Sequence, residues 1–394
     1  MILSDITTIF DCPHSTAPDE GEGYPLIRTP NIGKGRLILD DVHRVCKEIY
    51  NIRNRRAIPQ VNDIIFAREA PAGNAAVITE GQQVCLGQRT VLIRPKPSLV
   101  DAHYLVYFLL APKQQKKLLG YSHGATVGHV NIPDIANLPI ELPLLHEQRK
   151  IASIIENYDN LIEVNNKRIK MLEQMAENLY KEWFVRFRFP GHENTEFENG
   201  IPKGWEYCTV ESLSEILQRG ISPEYDDLGE LTVISQKCIR QNIMDINEAR
   251  KQTKVFKAEL NLVDGDTVIC STGTGTLGRV GQVYGDFPDT TFDSHVTLVR
   301  AKPLVGKHFL YWTLKEMQPW FMNMGIGSTN QQELYRGTIK NAKVLKADDS
   351  IISRFEEIVK PIHSNIISLI KNQENLIKQH DMLLPRLMSG KLVG

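Results

Sequence analysis

A chain of 394 residues, 42% hydrophobic and 24% charged, is too long for one compact core. Its composition excludes wholesale disorder, a fibrous repeat and a small disulfide scaffold. The net charge of −1 gives the chain as a whole no electrostatic pull on nucleic acid, and two local basic windows are the exception.

Met1 to Glu141 alternates short β-rich runs, among them Asp63–Phe66 and Thr90–Ile93, with Gly/Pro turns and one amphipathic helix from Val100. It reads as a first α+β domain. Inside it, Lys34 to Arg56 carries seven basic residues against three acidic ones. Residues 142–190 read as a long helix entered through Pro139 and Pro143. Residues 191–347 read as a second α+β domain, with strands at Asp266–Cys270 and Val296–Val299 and a helix from Val305. Its window Lys237 to Lys257 carries six basic residues against two acidic ones. Residues 348–394 read as a second long helix, in which Pro361 marks either a kink or a later start. The longest apolar run, Tyr104–Ala111, is far short of the ~20 residues that span a bilayer. Met1–Asp5 shows no basic-then-apolar signal, and the six cysteines are scattered. A cytoplasmic protein with reduced thiols and no membrane contact is expected.

The two domains repeat one another. Val91–Pro97 (VLIRPKP) is echoed by Thr297–Pro303 (TLVRAKP), His103–Tyr107 by His308–Trp312, Asp63–Ile65 by Asp266–Val268, and Gly124–Thr126 by Gly327–Thr329. The order is kept and the offset stays near 204, so the matches are collinear. The long helices share that offset. One seam of the first holds Ile155, Ile162, Ile169, Ala176 and Trp183, and the matching seam of the second holds Val359, Ile366, Gln373, His380 and Leu387. Heptad seams of this kind predict that the two helices pair as a coiled coil, with Asn165 and His380 as polar register positions. Antiparallel pairing would relate the domains by a pseudo-twofold axis.

No catalytic motif is present. Gly273–Gly278 satisfies GxGxxG, but the following Arg279–Tyr284 reads as a strand where a dinucleotide site needs a helix, so a β-hairpin loop is expected. There is no Walker A lysine, no HExxH and no Pro-Pro of an adenine methyltransferase. Glu224, Asp226 and Asp227 read as a solvated turn.

Two stretches now give a resemblance. Leu142–Ala152 (LPLLHEQRKIA) and Leu384–Leu392 (LPRLMSGKL) resemble the entry to the central conserved helix and the closing motif of the specificity subunits of type I restriction-modification systems. The likeness runs over essentially the whole chain, although the second helix entry, Ala347–Ile352, lacks the Pro and Glu-Gln signature. The resemblance implies a non-catalytic chain with two tandem α+β target-recognition domains and an antiparallel coiled coil. Such a chain reads an asymmetric bipartite site in double-stranded DNA. It scaffolds two methyltransferase subunits and two restriction/translocase subunits, which hold S-adenosylmethionine, ATP and Mg, with none in this chain. Glu147 and Gln148 would mark the helix entry where partners dock. Two other readings stay open: a recognition subunit whose partner fuses methylase and nuclease, and a coiled-coil adaptor that binds only proteins.

Arg pairs with guanine and Asn or Gln with adenine, while Lys, Ser and Thr more often hold phosphates. Candidate DNA contacts in the first domain are Arg28, Lys34, Arg53, Arg55, Arg56, Arg68, His123 and Thr126. In the second they are Gln236, Lys237, Arg240, Gln241, Arg279, Ser328, Thr329, Asn330 and Gln331. The pair Thr126 and Thr329, at matching repeat positions in polar loops, leads the set.

Overall fold

The computed structural model describes residues 1–120, 129–240, 242–327 and 332–390. The chain divides into two compact units, Met1–Val164 with Gln373–Gly394, and Asn165–Asn372. Two long helices, Leu145–Tyr180 and Asp349–Met388, follow the two globular domains, and each contributes residues to both units.

In the first unit a five-stranded sheet runs in the order Thr7–Asp11, Thr90–Pro95, Ile64–Ala67, Ala75–Val77, Gly35–Arg36. Only its last pairing is parallel. A three-stranded sheet runs Arg44–Val45, Tyr24–Ile27, Cys85–Leu86, with the last pair parallel. The second unit has the same plan. Its four-stranded sheet runs Ser214–Arg219, Val296–Ala301, Thr267–Cys270, Val280–Gln282. A parallel bridge from Ile243 to Gln282 stands where the first unit has its fifth strand. Its three-stranded sheet runs Arg250–Gln252, Leu231–Ile234, Thr290–Phe292, again with the last pair parallel. The repeat seen in short matches is therefore a repeat of topology.

The continuous apolar run Ile64–Ala67 is explained by two cores. Successive side chains of a strand point to opposite faces. Ile64 and Phe66 pack with Leu105, Leu109, Ile151 and Ile155 on the helical face, while Ile65 and Ala67 pack with Ile27 and Leu86 under the small sheet. Thr267–Cys270, buried throughout, divides in the same way. The single amphipathic helix expected from Val100 and from Val305 is in each case two short helices in succession, Ala102–Leu110 then Pro112–Gly120 and Lys307–Glu316 then Gln318–Asn323. Each domain has further helical turns besides. Asp101 caps Ala102–Leu110 by accepting the Tyr104 amide at 3.0 Å.

Within each unit the two long-helix segments run in opposite directions. In the first, Ile151 and Ile155 share a core with Leu384 and Leu387, and His380 lies 3.6 Å from Asp159. In the second, Ile169 packs with Ile366 and Leu369, while Tyr180 and Trp183 pack with Phe355 and Val359. Asn165 is buried as expected of a polar seam position. The second helix begins at Asp349 and continues through Pro361, which removes the reading of a later start.

Candidate nucleic-acid interface

The two ends of each large sheet differ in kind. At the end nearer the long helices the halves keep the same side chains. Arg94 grips buried Asp63 through Nε and Nη2 at 2.8 and 2.7 Å, and Arg300 grips buried Asp266 at 2.7 Å through both. Hydrogen bonding to its aspartate raises each arginine above its ordinary pKa. Lys96 and Lys302 donate to the carbonyls of Asp5 and Ser212, at 2.7 and 2.8 Å. This end is architecture.

The opposite end keeps the backbone and changes the side chains. The Val130 amide donates to the Arg68 carbonyl at 3.0 Å, and the Leu334 amide to the Ser271 carbonyl at 2.8 Å. On that shared frame the first unit places Glu69, which accepts from His129 Nδ1 at 2.5 Å and pairs with Arg89 Nε at 2.9 Å. The second unit places Thr272 instead, whose hydroxyl contacts His295 Nδ1 at 2.6 Å and Gln236 Oε1 at 3.3 Å. At the strand end beside them, Asp11 faces Arg68 at 3.5 Å, whereas Arg219 pairs with Glu333. The GxGxxG segment is the expected hairpin loop between antiparallel strands. Gly273, Gly275 and Gly278 have φ of 101°, 77° and 76°, so the glycines serve left-handed turns.

Several expected contacts are corrected by their surroundings. Arg53 is buried, donating to the Leu86 carbonyl at 2.7 Å and the Ser15 carbonyl at 3.0 Å, because its side chain ties a short helix to the small sheet. Arg68 is mostly buried and spent on Val130, His129 and Asp11. Gln148 is 1% exposed and clamps the helix entry internally, accepting from the Asp101 amide and donating to the Leu99 and Pro143 carbonyls. Glu147 caps the same entry by accepting the Leu144 amide at 3.0 Å. Gln148 is thereby taken up inside the helix entry, while the Glu147 carboxylate stays half-exposed.

Lys34, Arg55, Arg56, Lys237 and Arg240 are exposed, with Arg56 near Asp11 and Arg240 near Glu248. Arg28, Gln236 and Arg279 are half-buried. His123, Thr126, Gln241, Ser328, Thr329, Asn330 and Gln331 lie outside the described residues.

A family model for the type I restriction modification DNA specificity domain matches residues 2–174. Two specificity subunits from Methanocaldococcus jannaschii are similar along most of the chain. The MjaIX subunit is 26% identical over 84% of this chain and 77% of its own length. The MjaVIII subunit is 24% identical over 96% and 89%. The crystal structure of a type I restriction-modification S subunit from M. genitalium shares the fold, with a TM-score of 0.60 at 16% identity over 98% of this chain and 95% of that one. Residues 2–174 thus match a type I restriction modification DNA specificity domain, and most of the chain is similar to specificity subunits. Glu69, Arg89, Thr272 and His295, which stand at this sheet end, are not among the candidates the sequence offered, because no single motif carries them. The signal was there: Arg89 and His295 differ immediately before the best-matching stretch of the repeat. No helix among the described residues is long and apolar enough to cross a membrane.

Proposed function

We infer that this chain is the sequence-reading subunit of a type I restriction-modification complex, recognising an asymmetric bipartite site in double-stranded DNA. One observation carries the reading: two domains share strand order, parallel pairings and backbone hydrogen bonds, yet present different polar side chains at one sheet end. One scaffold used twice with different contacts fits two unlike half-sites. The chain itself is non-catalytic, and S-adenosylmethionine, ATP and Mg belong to two methyltransferase and two restriction/translocase subunits. The glycine loop agrees with this, since it closes a hairpin and has no helix N-terminus for a pyrophosphate. Met171 and Met175 support partner docking: they are 59% and 57% exposed on one face of the first long helix, and methionine suits adaptable apolar contacts. Coexpression with the methyltransferase subunit, followed by mapping of methylated adenines, tests the assignment. A single motif of two unlike half-sites is expected. A palindromic motif, or none, would overturn it.

A further inference from the structure

Deepening the proposed function, we propose that one equivalent position in each domain, Arg89 in the first and His295 in the second, determines which base that domain selects. Both residues stand in the turn immediately before a six-residue strand of their sheet, next to buried Thr90 and Val296. Both are exposed. Each leans on the second residue of the loop after the adjacent strand: Arg89 Nε on Glu69 at 2.9 Å, and His295 Nδ1 on the Thr272 hydroxyl at 2.6 Å. The pairs occupy the same place in the repeat and differ in all four side chains.

The contrast with the other sheet end decides the role. There, Arg94–Asp63 and Arg300–Asp266 keep both members of the pair, as a structural clasp requires. A position that only held the loops together would also tolerate one solution in both halves. Arg89 further adopts φ of 61°, a left-handed conformation that costs a non-glycine residue energy and is often kept where function needs it. Its side chain is 60% exposed while Nε is anchored, so a guanidinium of fixed direction is offered to solvent. Arginine in this state suits the O6 and N7 acceptors of guanine in the major groove. His295, a single-nitrogen donor or acceptor braced by Thr272 with Gln236 beside it, cannot make that bidentate contact.

The test uses the full chain assembled with its methyltransferase subunit and a randomised duplex library. Bound sequences are read for the wild type, Arg89→Lys, Arg89→His and His295→Ala. Lysine keeps the charge but loses the fork. Arg89→Lys and Arg89→His should each lower preference for guanine at one position of one half-site by roughly tenfold or more, leaving the other half-site unchanged. His295→Ala should relax one position of the other half-site only. If the wild type selects a bipartite site and the variants select the same one, merely more weakly, the assignment fails while the proposed function stands. If the wild type selects no sequence, the proposed function fails first and takes the assignment with it. Unchanged melting temperatures separate the expected result from a folding defect.

Discussion

A count of charges says nothing about which way each side chain turns, and the window Lys34–Arg56 shows it. Arg53 is turned inward onto two carbonyls, Arg36 is paired with Glu163, and Arg55 is left exposed. Replacing Arg53 with Ala should cost roughly 2–3 kcal/mol, read as a lowered melting temperature, because it empties a buried site and unbinds the buried Leu86 carbonyl and the half-buried Ser15 contact. Replacing Arg55 with Gln should leave stability alone. If Arg55 meets a phosphate, that change lowers the slope of log affinity against log salt by about 0.9, with no change in preferred sequence. Glu173 gives a pH-dependent counterpart. Burial raises its carboxyl to about 7, against Lys315 and the Asn242 hydrogen bond, which pull it down; Glu177 adds to the rise. The raised value favours the neutral form in the folded state. Its penalty is absent below the ordinary 4.5, grows as pH rises toward about 7, and levels off near 3 kcal/mol above that. Glu173→Gln should therefore raise the melting temperature at pH 8, have little effect at pH 4, and flatten the profile between them. Equal effects at both pH values would show that Glu173 is not held neutral.

Strands were the most legible elements, because Ile64–Ala67 and Thr267–Cys270 are buried on both faces and read as unbroken apolar runs. The glycine hairpin was legible from Arg279–Tyr284, which reads as a strand where a nucleotide site needs a helix. The short helix that follows the apolar one in each domain, Pro112–Gly120 and Gln318–Asn323, was not. Pro112–Gly120 buries only Gln114 and Leu118, so its sequence carries almost no apolar period. Gly278 makes a test of this scale. A Cβ there would lie 2.5 Å from the Met322 backbone nitrogen, at a φ of 76° that disfavours any side chain. Gly278→Ala should cost about 1–3 kcal/mol and loosen the loop that carries Thr272. Hydrogen exchange should show faster opening of the two hairpin strands, and protection equal to the wild type would refute the close approach.

At the scale of the molecule, the repeat and the seam predicted paired helices, and the opposite directions of the segments within each unit agree. The heptad pattern could not show where one unit's share of a helix ends, because every heptad looks alike to its neighbours. If the helices set the spacing of the two half-sites, adding seven residues to each helix, between Asn165 and Leu172 and between Leu369 and Leu376, preserves the seam. The insertion adds ~10.5 Å of helix at 1.5 Å per residue. That corresponds to about three base pairs at ~3.4 Å each. The preferred spacer should lengthen, or binding should fail because three base pairs also rotate the groove by roughly 100°. An unchanged spacer with unchanged affinity would refute the ruler.

The interleaving of the helices has a consequence during synthesis. Asn165–Asn372 is one uninterrupted stretch, whereas the other unit is built from Met1–Val164 and from Gln373 onward. At ~5–20 residues per second, the ribosome needs roughly 10–40 s to pass from Val164 to Gln373. Throughout that interval Ile151 and Ile155 lack Leu384 and Leu387, the residues that complete their core. The domain made first is thus the domain finished last, and its uncovered helix face is where a nascent chain has most need of a chaperone.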